Sequence, residues 1–259
     1  MDAGARGRYT ATNMSRKTII LPKGLGNGKR ARAGSPWIFS NEIRMDEAAK
    51  AIRPGTIVNV RGQDGQAFGT GYFNPRSLIA VRLLDPACDA AIDADFFTAR
   101  LSRALALRDL LYARPFYRLC HAEGDGLPGL VIDRFGDTLS VQTGTAGMER
   151  QHDAILAALE RILSPRTVIL RNDAPSRALE GLEAEVRLVK GSGQRLQVEE
   201  NGARYFADLA EGQKTGWYYD QRDNRAFIAG LANGKSVLDA FSYAGGFGIA
   251  AAMKGAREV

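Results

Sequence analysis

The hydrophobic period of this chain changes along its length, and that succession restricts it to a mixed α/β architecture of several small units. From residue 18 to 83 the apolar residues fall in short runs broken by turns: 18–21, 36–39, 56–60, 67–73 and 78–83, with Asp64-Gly65 as one turn. This predicts a small β-barrel-like unit over 16–90. Residues 93–111 switch to helical spacing, with Phe96, Phe97, Leu101, Leu105 and Leu107 on or near one face. Strand patterning returns at 118–122, 130–134, 139–142 and 167–171, around a helix from about 148 to 163 that ends before Pro165. A connecting helix and a compact α+β domain are therefore expected over 91–194. Residues 1–15 are small, polar and aperiodic, and are expected to form a disordered leader.

The last unit, 195–259, opens on two alternating runs, 195–200 and 203–208, joined by Asn201-Gly202. That dipeptide favours a type I′ hairpin because both central residues need positive φ. Asp220 is expected to cap a helix running to Leu231, with Asn233-Gly234 as its stop. Residues 236–241 then read as a short buried strand, 242–248 as a glycine loop and 249–253 as the start of a helix.

A chain of 259 residues is long enough for two or three such units, and 45% hydrophobic with 25% charged residues is an ordinary globular balance. No apolar run approaches the ~18 residues that cross a bilayer, and no secretory signal is evident, so a cytoplasmic location is expected. Cys88 and Cys120 are too far apart for a disulfide framework, and with two histidines no clustered metal site is expected. The net charge of +6 is localised: residues 1–45 hold nine Lys or Arg against two acids, a net +7, leaving the other 214 residues at −1. A basic N-terminal portion on a neutral body suits a polyanion held through its phosphates, and is equally compatible with a solubilising tail.

Two segments carry candidate chemistry. A strand, glycine loop and helix presents free backbone N–H groups and a positive helix end to a ligand. Here it reads Val237-Leu238-Asp239-Ala240-Phe241-Ser242-Tyr243-Ala244-Gly245-Gly246-Phe247-Gly248, which is neither the dinucleotide spacing nor a P-loop. It suits close packing on a small ligand such as the methionine part of S-adenosylmethionine, with Asp239 available to an ammonium group; a plain strand-to-helix turn would read the same way. Upstream, Glu211-Gly212-Gln213-Lys214-Thr215-Gly216-Trp217-Tyr218-Tyr219-Asp220-Gln221-Arg222-Asp223-Asn224-Arg225 is dense in functional side chains. Lys214, Asp220 and Arg222 could line a pocket for a zwitterionic cofactor, with Tyr218 or Tyr219 against its ring.

Together these segments resemble the RlmI-type large-subunit ribosomal RNA cytosine-C5 methyltransferases. Gly34-Ser35-Pro36-Trp37-Ile38-Phe39-Ser40-Asn41-Glu42-Ile43 and Gly71-Tyr72-Phe73-Asn74-Pro75-Arg76-Ser77 support the resemblance. It implies an N-terminal PUA domain that binds RNA, a central β-β-α-β-β domain, and the start of a Rossmann-like class I methyltransferase domain using S-adenosyl-L-methionine, with ribosomal RNA as partner. The cofactor residues it implies are Gln213, Lys214, Thr215, Tyr218, Asp220, Arg222, Asp239, Phe241, Ser242, Tyr243, Gly245, Gly246 and Gly248. The RNA-contacting surface it implies includes Lys23, Lys29, Arg30, Arg32 and Trp37. Glu123-Gly124-Asp125-Gly126-Leu127-Pro128-Gly129-Leu130 also looks like the family, and reads locally as a turn before a strand.

Methylation at cytosine C5 needs a thiolate that adds to C6 before the methyl group is taken. The family's Asp-Pro-Pro motif and nucleophilic cysteine would lie beyond Val259. Cys88 sits between acids and Cys120 on a strand, so neither is expected to substitute, and His121 and His152 are expected to be structural. This stretch is therefore expected to be an inactive, C-terminally truncated part of a methyltransferase. The alternatives are an RNA-binding module without enzymatic activity, or a methyltransferase with another target such as guanine N2. The oligomeric state stays open, a homodimer included.

Overall fold

The computed structural model of the chain describes residues 16–23, 28–193 and 195–259. The expected leader, 1–15, and part of the glycine-rich run after Lys23 lie outside these residues. The first sheet is built from β1 (Thr18–Leu21), β2 (Trp37–Ile38), β3 (Thr56–Gly62), β4 (Ala67–Phe73) and β5 (Val81–Asp85) in the order β1-β3-β4-β5-β2. Only the β1–β3 pair is parallel. Short helices α1 (Lys29–Arg32) and α2 (Glu47–Lys50) fill the connections. Ile19, Leu21, Ile38, Val58, Val60, Phe73 and Val81 close its core. The run at 78–83 becomes a strand only from Val81, because 74–80 form a loop closed by the Asn74 N–H on the Ala80 carbonyl, with Leu78 left exposed.

Helix α3 (Ala94–Leu111), capped by the Asp93 carboxylate, leads to the second sheet. Its strands are β6 (Phe116–His121), β7 (Leu130–Phe135), β8 (Thr138–Thr143), β9 (Thr167–Asn172) and β10 (Glu185–Lys190). Three antiparallel strands are followed by a helical crossover to β9, parallel to β8, and then by antiparallel β10. The domain thus has one strand more before its helices than the β-β-α-β-β pattern. The helix expected from 148 divides into α4 (Ala146–Arg150) and α5 (His152–Leu163), because the Gln151 N–H closes a tight turn on Met148 between them.

Strand periodicity separates two faces of this sheet. Leu130, Ile132, Leu139, Val141, Val168 and Leu170 pack with α3 and α5, while Phe116, Phe135 and Ile169 face the hairpin β11 (Arg195–Glu200) and β12 (Ala203–Asp208). Asn201 and Gly202 have φ of 51° and 82°, as the type I′ reading requires. The chain closes with α6 (Arg222–Leu231) and α7 (Gly246–Met253).

Two local expectations fail. Asp220 does not cap α6; it lies in a 3₁₀ turn (Tyr219–Gln221) and pairs instead with Lys214. Residues 236–241 form no buried strand: a parallel strand is held by neighbours, and among the described residues the segment meets only the bridge from Ser236 to Glu258, leaving Leu238 91% exposed.

The first two sheets are tied through buried groups. The Tyr72 hydroxyl donates to the Pro128 carbonyl at 2.8 Å and its ring packs against Gly147, where a Cβ would come within 2.0 Å of Tyr72 Cγ. The Glu180 carboxylate accepts from Asn74 Nδ2 (2.9 Å), Ser77 Oγ (2.9 Å) and Arg82 (2.8 Å). Burial opposes ionisation of Glu180, but these donors outweigh it and hold its pKa below the ordinary 4.5. Because the folded value lies below the unfolded one, its contribution is complete above about pH 4.5 and is lost as the pH falls below that. Urea midpoints measured down the acid limb should fall for the parent and fall less steeply for Glu180→Gln, which starts from a lower stability.

Candidate cofactor cleft and basic surface

The end of the chain folds around one buried carboxylate. Glu200, at the end of β11, accepts from Arg225 Nε (2.6 Å), Arg222 Nε (3.3 Å) and Trp217 Nε1 (3.1 Å), and its side chain is wholly buried. Arg222 and Arg225 stand three residues apart on α6, so both reach the hairpin from one face. The Arg225 guanidinium also lies 4.7 Å from the Trp217 ring centre and donates to the Tyr218 carbonyl at 2.7 Å. Helix α6, the 213–221 segment and the hairpin are thereby fixed to each other.

The same segment is clamped to the second sheet. Thr215 Oγ1 donates to the buried Asp133 carboxylate, which also takes Arg118 Nε at 2.8 Å. The Tyr219 hydroxyl donates to the Arg134 carbonyl at 2.8 Å, and Arg171 donates to the carbonyls of Leu209 (2.6 Å) and Gly212 (2.8 Å).

Between this framework and the glycine loop lies a cleft of about 300 Å³. Of the expected residues, the structure brings Gln213, Tyr218, Asp239, Phe241, Ser242, Tyr243 and Gly246 to its wall, with Gly245 and Gly248 in the loop behind. Trp217, Gln221, Arg225 and Phe247 also line it. Trp217 and Gln221 lie in the segment from Gln213 to Arg222, Arg225 stands three residues beyond it, and Phe247 belongs to the glycine loop. Thr215 and Arg222 are placed elsewhere: Thr215 is buried on Asp133, and Arg222 is held by Glu200 and lies over Tyr112. Lys214 and Asp220 form an ion pair at 3.0 Å at the rim, with the ammonium 4.2 Å from the Tyr218 ring centre. Partial burial opposes ionisation of Asp220, but the Lys214 ammonium keeps its carboxyl below the ordinary 3.8.

The loop itself is specifically shaped. Phe241, Tyr243 and Gly245 have φ of 58°, 51° and 70°, two of them non-glycine residues in a conformation that costs about 1–3 kcal/mol each. Asp239 Oδ2 accepts the Gly248 N–H at 2.8 Å, pinning the start of α7 beneath the strand end; a Cβ at Gly248 would lie 3.1 Å from that oxygen. Phe241 is fully exposed beside the cleft, and Tyr243 reaches back to accept the Gln213 N–H at 3.2 Å. Aromatic faces, a second carboxylate oxygen on Asp239 and the positive end of α7 fit a ligand with an aromatic ring, an ammonium and a carboxylate.

A second surface is basic. Lys23, Lys29, Arg30 and Arg32 are exposed, with Arg30 over the Phe39 ring (5.1 Å) and Arg32 over Phe68 (5.2 Å). Trp37 gives its indole N–H to Glu123 at 2.8 Å, so it offers the solvent a ring face. Neither cysteine resembles a nucleophile: Cys120 is buried, donates to the Leu130 carbonyl, and burial pushes its thiol up to about 12, while Cys88 is packed against the Gly69 carbonyl. Among the described residues there is no cluster of three or more metal-ligating side chains, and no helix is long and apolar enough to cross a membrane.

Residues 25–86 match the PUA-like domain family and residues 188–259 the S-adenosylmethionine-dependent methyltransferases. A putative S-adenosylmethionine-dependent methyltransferase from Streptococcus mutans has the same fold, with a TM-score of 0.75 at 22% identity over 93% of this chain and 61% of that one. A putative methyltransferase complexed with SAH superposes with a TM-score of 0.77 at 22% identity over the same shares of the two chains. Among curated proteins the chain is similar to ribosomal RNA large subunit methyltransferase I. It is 42% identical to that protein of Shewanella frigidimarina over 229 residues, 86% of this chain and 57% of the other. It is 38% identical to the one of Aliivibrio fischeri over 248 residues, 93% and 62% respectively. The chain spans about three-fifths of the length of these curated relatives.

Replacing Glu200 by Gln leaves the buried Arg225 and the half-buried Arg222 guanidinium groups without their counter-charge. The loss should be about 3–5 kcal/mol of unfolding free energy, read from denaturant titration, and the aromatic near-ultraviolet signal of Trp217 should weaken with it.

Proposed function

We propose that this chain supplies the RNA-holding and cofactor-holding parts of an S-adenosylmethionine-dependent ribosomal RNA methyltransferase that acts on a cytosine C5 of the large-subunit RNA in the cytoplasm. The observation that carries the cofactor reading is the Asp239–Gly248 bond. It sets a strained glycine loop against a cleft walled by Tyr218, Phe241 and Tyr243. The relatives' name supports the RNA reading.

When bound, the cofactor supplies a sulfonium-activated methyl group. The residues of this chain bind and orient it. The N–H groups opening α7 would hold its carboxylate, Asp239 its ammonium, and Tyr218, Phe241 and Tyr243 its adenine. Gln213, whose side-chain oxygen accepts the Tyr218 hydroxyl at 2.6 Å, fixes the rim. Lys29, Arg30, Arg32 and Lys23 hold phosphates and Trp37 stacks on a base, so the RNA is anchored on the first sheet while the cofactor is held at the far end of the chain. Cytosine C5 chemistry also requires a thiolate, and neither Cys120 nor Cys88 has the exposure and electropositive surroundings to provide one. That group belongs to a part of the enzyme beyond these two cysteines.

Calorimetry of the 259-residue chain with S-adenosylmethionine tests the cofactor reading. Phe241→Ala, at a fully exposed position, should weaken binding about fivefold or more with no change in melting temperature, and equal affinity would refute the placement of the adenine. RNA binding by the parent should weaken steeply with salt, and a double Lys29→Ala/Arg30→Ala variant should lower the slope of log K against log salt by about 1–2. A slope indifferent to both changes would rule out the basic surface.

A further inference from the structure

A larger cleft, about 630 Å³, lies between the first and second sheets and is lined by none of the residues of the glycine loop. Its floor is the part of the second sheet that the hairpin leaves uncovered. Val131 and Gln142 are directly paired across β7 and β8, and the step beyond the Val141–Leu170 pair brings Arg171 alongside them. One wall is the loop carrying Arg76, Leu78 and Ile79, and the other is the turn carrying Leu179. Leu78 and Leu179 are 73% and 76% exposed, an unusual pairing of open aliphatic side chains on opposite lips of one cleft.

Most of the charged groups in the lining are paired, and the Glu123 carboxylate accepts the Trp37 indole N–H. Arg82, Arg177 and Arg171 are neutralised by Glu180, Glu149 and Asp173. Arg76 is exposed and has no ion pair among the described residues. The Gln142 amide likewise has no side-chain partner among them. Arg171 is 3% exposed and lines the floor, yet its Nε is left without a hydrogen-bond partner, an orphan donor of a kind native structures seldom tolerate.

We infer that this cleft between the two sheets is an RNA site that takes one unstacked nucleotide, with its base between Leu78 and Leu179, its edge on Gln142 and its phosphate on Arg76. The volume lies in the range of about 300–1,000 Å³ typical of small-ligand sites. Flat apolar faces with a polar edge match two aliphatic lips over an amide, and a single unpaired cation at the mouth matches one phosphate. The cleft is also continuous with the basic surface: Glu123 lines it and holds the Trp37 indole at 2.8 Å, so a strand crossing Trp37 runs on into it. The site rests on the RNA-methyltransferase reading and extends it, adding a recognition point separate from both the basic helix α1 and the cofactor cleft.

The test uses a fluorescein-labelled single-stranded RNA of about ten nucleotides and the 259-residue chain, followed by anisotropy. The double variant Leu78→Ser/Gln142→Ala, which changes no charge, should bind about tenfold more weakly at unchanged salt slope, because apolar and edge contacts are lost but phosphate contacts are not. Arg76→Glu should weaken binding and lower the slope. The same RNA carrying 4-thiouridine should cross-link on irradiation to peptides containing 76–79 or 174–180. If both variants melt like the parent and bind RNA like the parent, the cleft is not an RNA site, although the basic surface could still be one. If the parent itself binds no RNA, both the cleft and the broader reading fall.

Discussion

The buried carboxylate of Glu200 is the constraint on which the C-terminal third depends. An unpaired carboxylate taken out of water is so costly that it must be met by charge and hydrogen bonds, and here it meets two guanidinium groups and an indole N–H. Each donor belongs to the segment that shapes the cofactor cleft: Trp217 in the aromatic motif, Arg222 and Arg225 on α6. The orientation of the helix relative to the hairpin, and of the cleft wall relative to both, follows from satisfying one anion. Arg225 has no freedom left to act on a ligand as a free cation, because its charge is spent on Glu200 and its face on Trp217.

The second sheet plays a corresponding role for the whole chain. One face buries an aliphatic core under α3 and α5. The other holds polar anchors, Asp133 and Arg171, that grip the segment leading to the cofactor cleft. Tyr72 and Glu180 fasten the first sheet beside it. The basic surface and the candidate cofactor cleft therefore sit on one continuous framework of buried hydrogen bonds, in which their relative positions are set by the central domain.

Much of this was legible in the chain, and the reasons are physical. The Asn201-Gly202 hairpin was readable to the residue because positive φ at two successive positions is affordable to few dipeptides. The aliphatic face of β7 and β8 was readable because period two admits one inward set. By contrast, 236–241 has the composition of a buried strand, yet burial depends on neighbours that sequence alone does not place; here a single bridge to Glu258 leaves Leu238 and Phe241 in solvent. Asp220 has the right residue type for a helix cap, but the nearer Lys214 ammonium wins it. In the candidate site the two segments meet at one cleft, while Thr215 and Arg222 point to structural partners that only the fold brings near them.

The sequence by itself determined the order of units, the location of the positive charge, the turn at Asn201-Gly202 and the two segments that wall the cofactor cleft, because these rest on local conformational preference and on residue chemistry. Only the tertiary structure decided which charged groups are free. Of the arginines and acids in the two motifs and the interdomain cleft, most are paired with partners dozens of residues away, as with Arg82 and Glu180 or Arg171 and the Leu209 carbonyl. Few are left over, among them Arg76 and the second carboxylate oxygen of Asp239. A charge is used up by its nearest counter-charge in space, and distance in space is what a linear sequence does not contain.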